Sequence, residues 1–360
     1  MMKRRQVLAG ASAAAVVAAG GYALLGGPDY EAVAAATWQP ADPAAPEIGR
    51  LVHYATLAAN SHNTQPWIFE AGSGPIRILP DTTRRTPVAD PDDHHLFATL
   101  GCAAENLMLA AGAEGKASAL SFGADGAIAV DLAPGGAEDP LFAAITARQC
   151  SRSLYDGSTV SAADLSLLER AAQVDGCRVL LVTEPAEVAA ILDLILAANA
   201  VQIADPAFVA ELGDWLRFSA AAAVDTGDGL FSACSGNPTM PQWIGQRMFP
   251  RVFTPEAENE KTAAQVRSSA GLAIFVSDRD DAEHWVAAGR SYQRFALQAT
   301  ALDLKTAFLN QPLEVPEYRP QLAGLLGVTD RRPDLLVRFG RGPAMPRSLR
   351  RPVADVMRMV

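Results

Sequence analysis

Cysteine is scarce in this chain. Its four residues, Cys102, Cys150, Cys177 and Cys234, are scattered, with no Cys-x-x-Cys pair and no Cys/His cluster. The spacing therefore suggests neither a zinc site nor a redox dithiol. Positive charge is also short: 30 Lys and Arg against 40 Asp and Glu leave a net charge of −10. No basic stripe could neutralise phosphates, which argues against nucleic acid as a partner. Charged residues make up only 19% and apolar residues 49%, the balance of a globular chain with a substantial core. Nothing resembling a Ser-His-Asp, Cys-His or paired-carboxylate arrangement points to hydrolysis. Two of the five histidines, His94 and His95, follow the acidic loop Asp90-Pro91-Asp92-Asp93. That pairing reads as a solvated helix cap, with a metal site as the alternative.

The N-terminus reads as a targeting segment and is set apart from the fold. Lys3-Arg4-Arg5-Gln6-Val7-Leu8 resembles a twin-arginine export signal, with Val7 at the usual Phe position. A weakly hydrophobic Ala/Gly run to Gly27 follows, then cleavage candidates such as Ala32-Val33-Ala34, so residues 1–36 are expected to be the signal. No cysteine follows to take a lipid, and an uncleaved membrane anchor is the alternative. The expected location is periplasmic or otherwise extracytoplasmic, with the twin-arginine translocase as a partner in transit.

Past this segment, the most informative stretch is Ser61-His62-Asn63-Thr64-Gln65-Pro66-Trp67. Ile48, Leu51, Val52, Ala55 and Ala58 recur at helical spacing before it, and Ile68-Phe69-Glu70 after it reads as a strand. Hydroxyl, amide and imidazole groups at a helix-to-strand corner can satisfy the edge of a flat, heteroatom-rich ligand. Taken alone, Asn-Thr-Gln-Pro is also an ordinary polar turn. A second feature is an internal repeat. Asp90-x-Asp92-Asp93 through Gly101 and Leu109 to Ala119 aligns without a gap, 188 residues on, with Asp278-x-Asp280-Asp281 through Gly289 and Leu297 to Ala307. Each copy predicts an acidic loop capping a long apolar helix, a glycine for close packing, and a strand: 119–122 in one and 306–309 in the other.

The corner Asn60-Ser61-His62-Asn63-Thr64-Gln65-Pro66-Trp67 resembles that of the nitroreductase superfamily of FMN proteins. It is most like an Acg-type branch in which one chain holds two nitroreductase-like halves. The resemblance covers roughly residues 47–360. It implies an α+β fold, with antiparallel sheets and helices in an intrachain pseudo-dimer of halves at 47–135 and 140–360. Trp285 and Gly289 reproduce a family spacing, and Phe97 sits at the tryptophan position of the first copy.

The resemblance also implies one FMN site divided between the halves. Ser61, His62, Asn63 and Gln65 would come from the first. Arg148-Gln149-Cys150-Ser151-Arg152 matches the family's phosphate cluster, with Cys150 where Ser or Thr is usual. The chemical need is for forked guanidinium donors near backbone amides. Pro312-Leu313-Glu314 resembles the loop that offers a backbone amide to the flavin N5. Glu314 has an alternative role as cap of a following helix. In the tail, Ser348 occupies one expected basic position, leaving Arg350, or Arg351, to complete the phosphate site. No phosphate cluster precedes the first corner, and no second corner is found around Cys177 to Glu184. The halves are complementary, and the symmetry-related site is expected to be vestigial. A Gly/Ser/Pro-rich stretch from Asp225 to Trp243 reads as a lid, which would place Trp243 or Phe231 near the isoalloxazine.

The expected function is an exported FMN oxidoreductase of nitroreductase type. It would reduce nitroaromatic or quinone-like small-molecule acceptors by two electrons, with NAD(P)H as the family's reductant, although NAD(P)H is scarce after export. The alternative is a non-catalytic protein that binds or sequesters flavin.

Overall fold

The computed structural model describes residues 29–360, so the twin-arginine segment lies outside the described residues. Helix α1 (Tyr30–Thr37) is capped by Asp29, whose side chain accepts from the Ala32 amide. It is docked, not free: Tyr30 stacks on Phe231 at 4.5 Å between ring centroids and donates to the Arg347 carbonyl at 2.6 Å. The boundary expected at residue 36 therefore falls inside an ordered helix that packs on the fold.

The first unit runs α2 (Glu47–Thr56), β1 (Trp67–Ala71), β2 (Ile76–Pro80), α3 (His94–Ala113), β3 (Lys116–Phe122) and β4 (Ile128–Pro134). Leu51, Val52 and Ala55 bury one face of α2, as their spacing predicts, and the helix ends at Thr56 rather than nearer Ala59. The second unit begins with α4 (Ala162–Ala171) and β5 (Cys177–Val182). A long excursion follows: α5 (Pro185–Ala204), α6 (Pro206–Trp215), β6 (Leu216–Arg217), α7 (Ala220–Thr226), β7 (Leu230–Phe231), α8 (Gln242–Val252) and α9 (Pro255–Arg267). The helical run breaks at Asp205-Pro206. Asp205 ends α5 and its side chain accepts from the Ala207 amide to start α6. The unit closes with β8 (Gly271–Ser277), α10 (Ala282–Ala301), β9 (Lys305–Phe308), α11 (Gln311–Glu314), α12 (Arg319–Leu325) and β10 (Pro333–Gly340), then α13 (Val353–Val356) and β11 (Met357–Met359).

The two units share one topology. In the first sheet the order is β1-β2-β4-β3, in the second β5-β8-β10-β9, and every pairing within these sets is antiparallel. A long helix joins the second and third strands in each. The excursion is inserted between the first and second strands of the second unit only. β10 is buried throughout but is not the last strand: β11 returns to the first sheet and pairs with β1 in parallel.

The repeated helices α3 and α10 pack against each other at backbone distance. A Cβ at Gly101 would collide with the Val286 carbonyl, and one at Gly289 would collide with the Ala98 carbonyl. Val286 and Gly289 are the residues 188 beyond Ala98 and Gly101, so the contact is self-complementary, as at a two-fold axis. The same reciprocity continues along the seam. Phe97 meets its counterpart Trp285 at 6.2 Å between centroids. Glu105 pairs with Arg294 at 2.7 Å while Asn106 accepts from Gln293 at 2.7 Å. Arg332 bridges the equivalent aspartates Asp92 and Asp280 at 2.9 and 2.8 Å.

The helix caps differ between the copies. Asp281 caps α10 through the His284 amide, as expected. In α3, Asp93 adopts a left-handed conformation and caps nothing. Asp90 instead accepts from the His95 and Leu96 amides, both at 3.0 Å.

Replacing Gly289 with Ala should lower stability by about 2–3 kcal/mol, because backbone rather than a flexible side chain occupies the space. Gly49→Ala in α2, where a Cβ would meet nothing within 4 Å, should be neutral or stabilising. Denaturant midpoints of the two variants check this.

Candidate functional site

A cavity of about 470 Å³ opens at the seam between the units. Its walls come from the corner, from α3 at Ala98, Thr99 and Cys102, from the 148–152 segment, from the excursion and from the tail at 346–350. Of the residues singled out in the sequence, Ser61, His62, Asn63, Arg148, Cys150, Arg152, Glu314 and Arg350 line it together. Gln65, Pro312, Leu313 and Arg351 do not. Pro312 and Leu313 are buried, Leu313 in an apolar cluster with Leu336 and Ile195. Arg351 donates through Nη2 to the Asp355 carbonyl.

One end of the cavity concentrates positive charge. The guanidinium carbons of Arg148, Arg347 and Arg350 lie 5.8, 4.7 and 4.9 Å from the centroid of the Trp38 ring. Arg152 enters beside them and donates to the Ser235 hydroxyl at 3.2 Å. Among the described residues, none of these four arginines has a carboxylate within 4.0 Å. Burial, then the neighbouring Arg148, pulls the Arg350 guanidinium down to about 9. Arg347 is lowered by the same two causes. Arg148 is 3% exposed, and its Nε is buried with no hydrogen-bond partner. Crowded, desolvated cations with an unused donor form an anion site. Neither Arg148 nor Arg152 lies on a helix. Cys150 is placed by its backbone, in a bridge with Thr306, and the neighbouring Ser151 amide donates to the Thr306 carbonyl at 2.9 Å.

The corner is a hub. Asn63 donates to the Gly229 and Leu349 carbonyls at 3.0 and 3.2 Å and accepts from Arg350 Nη1 at 2.8 Å. Gln65 donates to the Gly227 carbonyl at 2.9 Å and accepts from the Arg351 amide at 2.8 Å. Both side chains fasten the excursion and the tail to the first unit, so Asn63 holds Arg350 in position. Three corner residues, His62, Asn63 and Gln65, have φ of 46, 54 and 54°, a left-handed conformation that non-glycine residues adopt at a cost of about 1 kcal/mol or more each. His62 faces the cavity, with Nδ1 buried and unpaired. Burial, with Arg152 and His95 nearby, pulls its imidazole down to about 4, so it is neutral at pH 7.

Elsewhere the wall is mostly apolar. Phe208, Leu212, Phe218 and Phe249 of the excursion form an apolar wall. Trp243 is 68% exposed and Phe231 packs on Tyr30; neither lines the cavity. Short-range sequence offered no marker for the phenylalanines, which are spread over three elements. Arg347 was visible in the tail, but only the fold shows that it joins Arg350. His95 and Glu314 meet here at 3.7 Å. The histidine pair is buried rather than a solvated cap, and His94 bonds Asp334 at 3.0 Å. Glu314 accepts from Gln202 at 2.6 Å and caps no helix.

No family model matches the chain. In sequence it is similar to two Mycobacterium tuberculosis proteins, from strains H37Rv and CDC 1551 / Oshkosh, that carry the provisional name NAD(P)H nitroreductase. Each is 24% identical over 330 residues, covering 88% of this chain and 92% of the relative. This near full-length similarity supports a place in the nitroreductase superfamily. Among solved structures, the FMN-dependent nitroreductase NfnB of Mycobacterium smegmatis, in complex with NADPH, is 13% identical. The match covers 60% of this chain and 96% of that one, with a TM-score of 0.41. An FMN-bound nitroreductase from Desulfitobacterium hafniense is 14% identical, covering 62% and 98%, with a TM-score of 0.38.

The site makes a pH prediction. His62 binds its proton at about 4 when folded and at 6.5 in the reference state, so the unfolded chain takes up the proton first on acidification. Its contribution is present above pH 6.5 and is lost as pH falls towards 4, at about 1.4 kcal/mol per unit. His94 is lowered by burial too, but its partner Asp334 is raised by burial to about 7, and the two slopes oppose each other over the same window. His62→Gln should therefore flatten the loss of stability between pH 6.5 and 4.5, as read from urea midpoints.

Proposed function

We propose that this protein is an FMN-dependent oxidoreductase of nitroreductase type, with one flavin per chain, acting on nitroaromatic or quinone-like acceptors. The observation that carries the reading is the cluster of Arg148, Arg152, Arg347 and Arg350 at one end of the cavity, without a carboxylate partner and with Arg148 Nε unused. A terminal phosphate fits that cluster, since it accepts several charge-assisted hydrogen bonds at once. A flat heterocycle fits the remainder, between the corner with its unpaired His62 Nδ1 and the apolar wall of the excursion. The size lies within the usual range for cofactor sites, about 300–1,000 Å³. The provisional names of the relatives agree with this reading.

When bound, the flavin would accept hydride from a reduced nicotinamide and pass two electrons to the acceptor. The chain's own part is binding and orientation. The arginines hold the phosphate, Asn63 holds Arg350, and the excursion keeps water from the apolar end. The shared strand order and the self-complementary α3–α10 contact support descent from a fused dimer of equals. The counterpart of the polar corner, before β5, is only the short turn from Ala172 to Gly176, which supports a single site. The Lys3-Arg4-Arg5 pattern supports export through the twin-arginine pathway.

Protein purified after FMN loading should release one equivalent per chain on denaturation, identified by mass and absorbance. Arg148→Ala should weaken FMN binding about 10-fold to 150-fold, the cost of losing one buried charge-assisted partner. Asn63→Ala, across the seam, should also weaken it by freeing Arg350. Wild-type FMN content in both variants would defeat the shared site, and reduction by NADH or NADPH distinguishes turnover from storage.

A further inference from the structure

The excursion does more than close the cavity. Met248, Phe249 and Val252 of α8 lie three, four and seven residues beyond Gly245, so the four share one face of the helix, and all of them line the cavity. That face is graded. Phe249 is 9% exposed, Met248 44% and Val252 58%. The apolar lining therefore does not stop inside the protein. It runs out to solvent along α8, over about 10 Å of helix from Gly245 to Val252. Its inner part is an aromatic ladder, with Phe218 and Phe249 at 6.1 Å and Phe249 and Phe253 at 4.7 Å between ring centroids. A Cβ at Gly245 would collide with the Phe218 side chain, so α8 lies directly on this ladder. Arg247 and Arg251 keep to other faces of α8 and are absent from the lining. Of the two charged α9 residues in the lining, Lys261 donates to Asn237 Oδ1 at 2.9 Å and Glu258 is partly exposed.

We propose that the acceptor is a quinone carrying a long aliphatic or isoprenoid chain, with its ring in the cavity and its chain laid along α8 over Phe249, Met248 and Val252. The inference rests on the flavin reading above and names one member of its acceptor class. A compact nitroaromatic or an unsubstituted quinone would leave this strip bare. An aliphatic chain covers it, and the two apolar surfaces leave water together. The strip is continuous with the cavity, which points to an occupant that is itself half inside. Met248, and Met240 also in the lining, are pliant enough to pack against a flexible chain. The excursion, inserted in the second unit only, is thus a specificity device as well as a cover. Burying a methylene is worth about fourfold in binding, so a decyl chain with about a third of its length covered gains about a hundredfold.

The test compares a decyl-substituted benzoquinone with its methyl counterpart as acceptors of the FMN-loaded protein. kcat/KM should favour the decyl quinone by about a hundredfold. In the double variant Met248→Glu/Val252→Glu, which places charge at two exposed positions, that ratio should fall about tenfold or more. Equilibrium dialysis of the two quinones against FMN-free protein makes the same comparison without turnover, and the variant should lose the decyl preference there too. A ratio near one in either assay, or a ratio that survives in the variant, would overturn the proposal. If a second copy of the chain covers the strip instead, the ratio is near one and the variant lowers the mass read by light scattering, which overturns it as well. Protein that takes up no FMN, or that takes it up and reduces neither quinone, would sink the flavin reading instead. The dialysis would still decide whether the strip holds a chain.

Discussion

The structure depends on two helices meeting without side chains between them. At Gly101 and Gly289 the backbones of α3 and α10 touch, each glycine against a carbonyl of the other helix. That contact sets how far apart the two sheets lie and fixes the register of everything along the seam. The Phe97–Trp285 contact, the Glu105–Arg294 pair and the Arg332 bridge are all consequences of that single crossing. The cavity is a consequence too. It forms beside the crossing, where Ala98, Thr99 and Cys102 of α3 join segments of the second unit in its wall. The second unit enters β5 through a short turn, with no counterpart of the polar corner among the described residues.

Charge is deliberately unbalanced inside this seam. A net acidic chain gathers four arginines at one end of a cavity and lowers two of them by burial. The hydrogen bonds that hold Arg350 come mostly from backbone carbonyls, Thr56 and Ala58 among them, and these partners do not neutralise it. The left-handed backbone at His62, Asn63 and Gln65 adds local strain. Both features lower the stability of the empty protein, and an anion in the cavity would relieve the first. Elsewhere the lining is mostly apolar, with the His95 imidazole 3.7 Å from the Glu314 carboxyl.

The local signals were legible in sequence. Helix α2, the strands β3 and β9 and the gapless repeat could be read because each depends on neighbours in the chain. The repeat glycines predicted close packing, and the structure supplies the partner atoms. The corner was legible as a feature but not in its details. Asn63 and Gln65 spend their amides on the excursion and the tail, which no local pattern announces. Asp90 rather than Asp93 caps α3 because Asp93 turns left-handed. Strand β11, only Met357 to Met359, has no alternation to detect and exists because β1 offers it an open edge. Trp243 was a reasonable aromatic candidate by position, but the wall is built by phenylalanines brought together from α6, β6–α7 and α8.

The tail links these points to the way the two units are fastened together. Arg347 and Arg350 lie between β10, in the second sheet, and β11, which is zipped onto the first sheet up to the bond from the Val360 amide to the Ala71 carbonyl. The arginines thus ride on a strap anchored in a different sheet at each end. Any change that peels β11 from β1 would slacken the strap and scatter the positive charge it gathers.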